Sequence, residues 1–522
     1  MPSKAEPAPY SNPVLPGMHP DPTVCRVGHD FYLACSSFEY FPGVPIFHSR
    51  DLVSWRQLGH VLTRPSQLDL TSAPSSGGIY APTLRHHHGR FYLVTTLVGR
   101  GNFLVTADDP GGRWSDPHWL DDEGFDPSLA FLDGRVYYTR AGPGADDDHP
   151  FVYQAELAVT GDGIEPAQAP RSIWQGTGGV WTEGPHLYRR GDRYYLLAAE
   201  GGTSYEHSVV VARSERPDGP FEPSPHGPVV THCDRSDHPI QAVGHADLVE
   251  LADGSTWAVM LGIRTAGGRH HHLGRETFLA PVEWGSDGWP RMSPVELSME
   301  APSLPRAPRA PNGDGNELSG PNPAPSWVFV RNPPEGAWSL RERPGCLRLW
   351  GCPGSLRDVA PVALICRRQE QFDVAVRTLL DFAPRSPNEE AGLCIRANEA
   401  FHAALLVGLG SRGCELRLVQ TEAGRMRTLT RTKLDHGPVT LVLTATAAEY
   451  RFLGGTGETV RELGRIPTRA FSAETIHGAT GKHHFTGAMI GLLATGNGLR
   501  SAVPADFHWF RYAARTAPYR PV

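Results

Sequence analysis

The chain has 522 residues, enough for two to four domains at roughly 150 residues each, and a formal net charge of −7 from 49 basic and 56 acidic residues. Its 57 glycines and 48 prolines argue against a mostly helical chain, and its 12 Trp, 15 Tyr and 20 Phe argue against disorder. No basic run interleaves with aromatic residues, so no nucleic-acid partner is expected.

The N-terminal segment, Met1 to Pro16, lacks the basic and apolar sections of a signal peptide. No apolar run reaches the roughly 18 residues of a membrane span. We therefore expect a cytoplasmic protein without a membrane partner. The eight cysteines form no Cys-x-x-Cys pair, and free thiols are expected, including those of Cys346 and Cys352.

One pattern recurs five times in the first half of the chain. Each copy has a short strand, then a glycine-containing turn, then a second strand with aromatic or branched residues. The turn glycines are Gly28, Gly89, Gly134, Gly191 and Gly254. A third strand and a segment with Trp or Phe follow, which makes four antiparallel strands per unit. Five such units predict a five-bladed β-propeller, whose first strands line a central channel.

The composition then changes twice. The propeller is predicted over residues 1–300, and residues 301–325 contain seven prolines, which favours a linker. Beyond it, alternating apolar residues return, as in 372–380 and 439–444. The second domain, residues 326–522, is predicted to be a β-sandwich of the jelly-roll, concanavalin-like kind, so the whole chain is expected to be all-β.

Polar residues occupy equivalent positions where the inner strands begin. Asp21, Asp126 and Glu183 stand in the first, third and fourth units, and Tyr80 and His245 stand in the second and fifth. A single acid before a turn is commonly structural, but three acids in one register predict a polar pocket. Crowding raises at least one carboxyl pKa, so one group can donate a proton while another stays ionised. That combination suits glycosidic bond cleavage.

Three classes of function compete for this pocket. A protein-interaction scaffold needs no buried acids, and a non-catalytic carbohydrate-binding propeller gains nothing from three crowded carboxylates. A glycosidase that acts on an oligosaccharide is therefore favoured. The sequence leaves the oligomeric state open, with a homo-oligomer as one option.

Longer strings carry a family resemblance. His19-Pro-Asp-Pro, Ser37-Phe-Glu-Tyr-Phe-Pro-Gly-Val, Thr182-Glu-Gly-Pro-His-Leu-Tyr and Leu273-Gly-Arg-Glu-Thr-Phe-Leu-Ala-Pro-Val resemble glycoside hydrolase family 43, in its β-xylosidase and α-L-arabinofuranosidase branch. The resemblance continues into the second domain, where His484-Phe-Thr-Gly-Ala is similar to the family.

The resemblance implies an inverting mechanism with three carboxyl roles. Asp21 matches the general base that activates water. Glu183 matches the general acid, and Asp126 matches the carboxylate that tunes and orients that acid. The implied activity is an exo-glycosidase that releases a terminal pentose, β-D-xylose or α-L-arabinofuranose, from plant cell-wall oligosaccharides. A strict α-L-arabinofuranosidase is the alternative.

The resemblance also implies the substrate-binding residues. Arg275 matches the arginine that binds the sugar at the non-reducing end, with Phe38 as an apolar wall beside it. Phe485, from the second domain, matches a residue that closes the pocket. Tyr80 stands where many members have Trp, and His245 completes the predicted set.

Histidines raise the question of a metal. In the runs 86–88 and 270–272, neighbouring side chains on a strand point to opposite faces, and no Cys or carboxylate follows at ligand spacing. We interpret both runs as surface-loop histidines. His245 is interpreted as a buried histidine that orients its neighbours. The alternative is a calcium ion near His245, as in some relatives of the family. No cofactor is predicted.

Overall fold

The structure is a computed structural model that describes residues 9–160, 163–304, 318, 320, 322–457 and 459–514. Their regular secondary structure is almost entirely β-strand, as predicted, with one 3-10 helix and one α-helix of eight residues. In the described ranges no helix combines the length and the apolar character that a membrane crossing requires.

The described residues of the first domain form twenty-five strands. In chain order they are β1 (Pro9–Ser11), β2 (Thr23–Val27), β3 (Asp30–Ala34), β4 (Tyr40–Phe41), β5 (Gly43–Ser49), β6 (Arg56–Leu62), β7 (Thr83–His87), β8 (Arg90–Leu97), β9 (Gly101–Ala107), β10 (His118–Asp121), β11 (Phe125–Leu132), β12 (Arg135–Gly142), β13 (Phe151–Thr160), β14 (Gly163–Pro166), β15 (Arg171–Trp174), β16 (Glu183–Arg190), β17 (Arg193–Glu200), β18 (Ser208–Ser214), β19 (Glu222–Pro223), β20 (Val230–Thr231), β21 (Ile240–Glu250), β22 (Thr256–Arg264), β23 (Glu276–Trp284), β24 (Pro290–Arg291) and β25 (Ser298–Glu300).

These strands form the five blades predicted from the repeats. The blades are β2-β3-β5-β6, β7-β8-β9-β10, β11-β12-β13-β14, β16-β17-β18-β19 and β21-β22-β23-β24. The first strands β2, β7, β11, β16 and β21 contact one another in a closed ring and so line the channel. All five predicted turn glycines have φ between 61° and 83°, a range that a side chain would strain.

The second domain contains fourteen strands and both helices. Its elements are β26 (Val328–Val330), β27 (Trp338–Ser339), β28 (Leu347–Trp350), β29 (Ala363–Arg368), β30 (Val374–Asp381), β31 (Glu390–Asn398), β32 (Phe401–Gly410), β33 (Gly413–Glu422), β34 (Arg425–Lys433), β35 (Val439–Ala445), β36 (Glu449–Thr456), β37 (Arg461–Pro467), the 3-10 helix (Thr468–Phe471), α1 (Ala473–Thr480), β38 (Met489–Thr495) and β39 (Pro504–Ala514).

Two sheets pack face to face and form the predicted sandwich. One sheet has the order β34-β33-β32-β31-β38-β29-β26-β4, and the other has the order β27-β28-β39-β30-β35-β36-β37. Buried and less buried residues alternate along β30, because only one face of that strand points into the core.

The outermost strand of the larger sheet, β4, comes from the propeller. Tyr40 and Phe41 pair with Val330 and Phe329 of β26, and Tyr40 and Met18 lie in one buried cluster with residues of the sandwich. The two domains therefore share a sheet and a core. Most of the predicted linker, 301–325, lies outside the described residues.

The interpretation of the histidine runs as surface loops is wrong in part. His272 is 1% exposed and packs against Phe372 and Tyr450 of the sandwich, which covers the loop after β22. His87 belongs to β7 and stacks on Phe131. The sequence pattern does not show which loops a second domain covers. All eight cysteines are free thiols.

Removal of the second domain is expected to abolish activity and solubility. A chain ending at residue 304 would expose Met18 and Tyr40, which are fully buried in the intact protein, and leave an unpaired strand edge at β4. Size-exclusion chromatography and activity on a short substrate would check this expectation. A monomeric, fully active propeller would contradict it.

Candidate active site

The predicted hub residues lie where the inner strands are distorted. Asp21 just precedes β2, whereas Asp126, Glu183 and His245 lie within inner strands at or beside bulges in the pairing register. Asp21, Asp126 and His245 have φ of 53°, 51° and 50°, a left-handed conformation that costs a non-glycine residue about 1–3 kcal/mol. Bulges redirect side chains, and here they coincide with the polar hub.

Two carboxyl groups and an imidazole meet at the channel mouth. One side-chain ligand atom each from Asp126, Glu183 and His245 lies within 4.8 Å of the other two. Burial, aided by the negative charge of Asp21, raises the pKa of Glu183 to about 7. Burial and the charge of Glu183 raise the pKa of Asp126 well above its usual range. Both groups therefore hold protons more tightly than ordinary carboxylic acids.

The third carboxyl group, Asp21, has different neighbours. It accepts hydrogen bonds from Arg275 Nη1 at 2.9 Å and from Ser36 Oγ at 2.5 Å, and His245 Nδ1 lies 3.9 Å away. A guanidinium and a hydroxyl donor stabilise a carboxylate. The pocket thus combines one acid that is hydrogen-bonded to a guanidinium with two acids whose pKa values are raised.

Three aromatic rings enclose the space beside Arg275. The ring centroids of Phe38, Tyr80 and Phe485 are 5.8 to 6.1 Å apart, so each ring contacts the other two. The guanidinium carbon of Arg275 is 5.5 Å from the Phe38 centroid and 5.3 Å from the Phe485 centroid. A guanidinium group between aromatic rings can donate hydrogen bonds to the hydroxyl groups of a sugar whose faces contact the rings.

Below the pocket, the channel is filled. Asp247, two residues after His245, is fully buried and accepts hydrogen bonds from Thr23, Arg85 and Tyr188 of three other blades. This network therefore crosses the channel below the acids.

The structure brings together all eight predicted site residues, and it adds others that the sequence did not reveal. Ser36 supports Asp21, and Thr203 Oγ1 accepts a hydrogen bond from Arg275 Nη1 at 2.8 Å. Neither residue follows the blade register, because Ser36 lies two residues after β3 and Thr203 lies in the loop between β17 and β18.

Family comparison agrees with this geometry. Residues 10–290 match the model of glycosyl hydrolases family 43. The chain belongs to this family. Residues 316–513 match the beta xylosidase C-terminal concanavalin A-like domain. The protein is therefore a glycoside hydrolase, and both of its domains have counterparts in the family.

Similar proteins cover nearly the whole chain. The non-reducing end alpha-L-arabinofuranosidase BoGH43B of Bacteroides ovatus is 43% identical over 96% of this chain and 94% of its own. A xylosidase/arabinosidase of Butyrivibrio fibrisolvens is 36% identical over 96% and 98%. The crystal structure of xylan beta-1,4-xylosidase from Bacillus halodurans has a TM-score of 0.92 at 36% identity, over 97% of this chain and 100% of that one.

The variant Glu183→Gln should be more stable than the wild type at alkaline pH. An unfolded glutamate ionises near pH 4.3, whereas folded Glu183 keeps its proton up to about pH 7, so the stability of the wild type falls as the pH rises between these values. The gain in unfolding free energy should be about 1 kcal/mol at pH 5 and about 4 kcal/mol at pH 8.

Thermal and urea unfolding at both pH values would measure this gain. Glu283→Gln, at an exposed glutamate, is the matched control and should show no such dependence. A gain that is the same at pH 5 and pH 8 would contradict the assigned environment of Glu183.

Proposed function

We propose that this glycoside hydrolase is an inverting exo-glycosidase that releases a terminal pentose from the non-reducing end of plant cell-wall oligosaccharides. One observation carries the proposal: Glu183, with a raised pKa, and the stabilised carboxylate Asp21 share a pocket that is walled by three aromatic rings. The named activities of the relatives support the same substrate class.

The proposed reaction assigns one role to each acid. Protonated Glu183 gives its proton to the glycosidic oxygen as the bond to the anomeric carbon breaks. Asp21 accepts a proton from the water molecule that attacks that carbon from the opposite face, and this displacement inverts the configuration. Asp126, next to Glu183, keeps the acid protonated and oriented.

The proposed preference for a terminal pentose follows from the closed pocket. The network around Asp247 fills the channel below the acids, and Phe38, Tyr80 and Phe485 wall the pocket. The rest of the oligosaccharide therefore extends out through the mouth. A hexose carries an additional hydroxymethyl group, and apolar walls discriminate against one such group by about 1–3 kcal/mol.

A strict α-L-arabinofuranosidase is the second candidate. It is favoured by the 43% identity to an enzyme with that name, whereas relatives named for both sugars are 35% to 36% identical. Comparing kcat/KM for aryl α-L-arabinofuranoside and aryl β-D-xylopyranoside would decide between the candidates. A strict enzyme would show no measurable activity on the xyloside.

The proposal as a whole is tested by product analysis. Xylo-oligosaccharides and arabinoxylan fragments should lose single pentoses from the non-reducing end, and NMR should detect α-xylose as the first anomer released from a β-xyloside. Internal fragments would overturn the exo assignment, and β-xylose as the first product would overturn inversion.

Neutral substitutions at the acid and the base should lower turnover differently. Asp21→Asn and Glu183→Gln should each reduce kcat on an unactivated oligosaccharide by about 10²–10⁴-fold, because each removes one proton transfer. On an aryl glycoside with a good leaving group, Glu183→Gln should retain far more activity than Asp21→Asn. Steady-state kinetics on the two substrate types would measure both effects.

The wild-type pH profile provides the control for this comparison. On an unactivated substrate, kcat/KM should fall above about pH 7, where Glu183 loses its proton. The Glu183→Gln variant, assayed on the activated glycoside, should lack this decline. A wild-type profile without it, or a Glu183→Gln variant with full kcat on oligosaccharides, would argue against the acid role.

Catalysis is proposed to need no metal ion. Asp126, Glu183 and His245 could together hold an ion, but the proposed acid and base complete the reaction without one. Exhaustive chelation should therefore change kcat/KM by less than about twofold. A large loss that calcium restores would instead assign these three residues to an ion site.

A further inference from the structure

Glu39 is a buried acid that the proposed reaction does not use. It follows the pocket residue Phe38 and is fully buried. Its Oε2 accepts a hydrogen bond from the backbone N–H of Ser76 at 3.0 Å, and its Oε1 accepts one from Arg396 Nη1 at 3.3 Å. Arg396 lies in β31 of the sandwich, so Glu39 links a propeller loop to the second domain.

Ser76 extends this link to the pocket wall. Its Oγ accepts a hydrogen bond from the backbone N–H of Phe485 at 3.0 Å. The Phe485 ring lies 6.0 Å from Phe38 and 6.1 Å from Tyr80, measured between centroids. The loop that carries Ser76 leads directly into Tyr80. Through Ser76, the wall contributed by the sandwich is therefore attached to the walls contributed by the propeller.

Further hydrogen bonds fix the same loop. Arg396 Nη2 donates to Ser75 Oγ at 2.8 Å and to Glu399 Oε1 at 2.9 Å. Arg331 also pairs with Glu399, and its Nε donates to the carbonyl oxygen of Ala73 at 2.7 Å. With Glu39, the network holds two arginines and two glutamates. Opposite charges in equal number allow such a network to be buried, and burial gives it one defined geometry.

We propose that Glu39 and Ser76 are positioning residues that hold Phe485 against the pocket and so close the sugar-binding space. The proposal rests on the proposed function, because it takes the space between Phe38, Tyr80 and Phe485 as the site of the terminal sugar. Neither Glu39 nor Ser76 contacts the three hub carboxyl groups. Their loss should therefore weaken sugar binding and leave the acid and base in place.

Two variants of the full-length chain test the role of Ser76. Ser76→Ala and Ser76→Gly both remove the hydroxyl group, and Ser76 has a φ of 64°, which glycine adopts without strain. Each variant should raise KM for an aryl pentoside about tenfold and change kcat by less than about twofold, because each loses the hydrogen bonds of the Ser76 hydroxyl to the Phe485 N–H and to His484 Nδ1 that hold the wall. If only Ser76→Ala has an effect, backbone strain is the cause and the proposal fails.

Ser75→Ala is the matched control within the same loop. Ser75 accepts its hydrogen bond from Arg396 and makes no hydrogen bond to Phe485 among the described residues. Its KM should change by less than about twofold. An equal rise of KM in Ser75→Ala and Ser76→Ala would mean that general loosening of the loop explains the effect, which would overturn the proposal.

The double variant Ser76→Ala/Phe485→Ala shows whether Ser76 acts through Phe485. If it does, the double variant should have the KM of Phe485→Ala alone, whereas independent effects would multiply. A double variant whose rise in KM equals the product of the two single rises would overturn the proposal. If Phe485→Ala has no effect on KM, the pocket assignment and the proposed function fail. If Phe485→Ala raises KM and the Ser76 variants do not, only the positioning role fails.

The role of Glu39 is tested by Glu39→Gln against Glu399→Gln. Both variants remove one carboxylate from the same arginine network, but only Glu39 accepts the N–H of Ser76. Glu39→Gln should raise KM more than Glu399→Gln, and equal values would overturn its role. Thermal unfolding of each variant would be followed in parallel, and the Ser76 variants decide the proposal even if Glu39→Gln does not fold.

Discussion

The site depends on the burial of carboxyl groups that the fold brings close together, so that loss of water and mutual repulsion both oppose ionisation. Asp21 accepts hydrogen bonds from Arg275 and Ser36. Glu183 and Asp126 lie close to each other, and burial next to an existing negative charge makes a second ionisation costly. The proposed acid and base are therefore distinguished by their surroundings, although all three residues are carboxylic acids.

This arrangement of acids is accompanied by strain in the backbone of the propeller. Three hub residues have left-handed φ values, and Gly184 leaves no room for a side chain, since a Cβ there would lie 2.7 Å from His245 Nε2. Side-chain packing around the hub alone would not keep these residues in a left-handed conformation. Five blades of regular antiparallel strands supply the stability that lets a few residues at one mouth remain strained.

The sequence predicted the features that repeat and missed those that occur once. The turn glycines recur in all five blades, and Asp21, Asp126 and Glu183 occupy the same register in three of them. The architecture and the hub could therefore be derived from the residues. Arg275 and Phe485 were predicted from the family resemblance alone. Ser36, Thr203 and the burial of His272 depend on long-range contacts, and no local pattern encodes which loop a second domain will cover.

The strand β4 has a consequence for how this chain can be recombined. A sheet of the sandwich ends on two propeller residues, Tyr40 and Phe41, which lie far from the rest of that sheet in sequence. A crossover point within the proline-rich segment would separate the two domains by sequence and yet divide one hydrogen-bonded sheet between two parents. Chimeras of this family should therefore exchange the β4 segment together with the sandwich, because the folded sandwich includes a strand that the sequence places within the propeller.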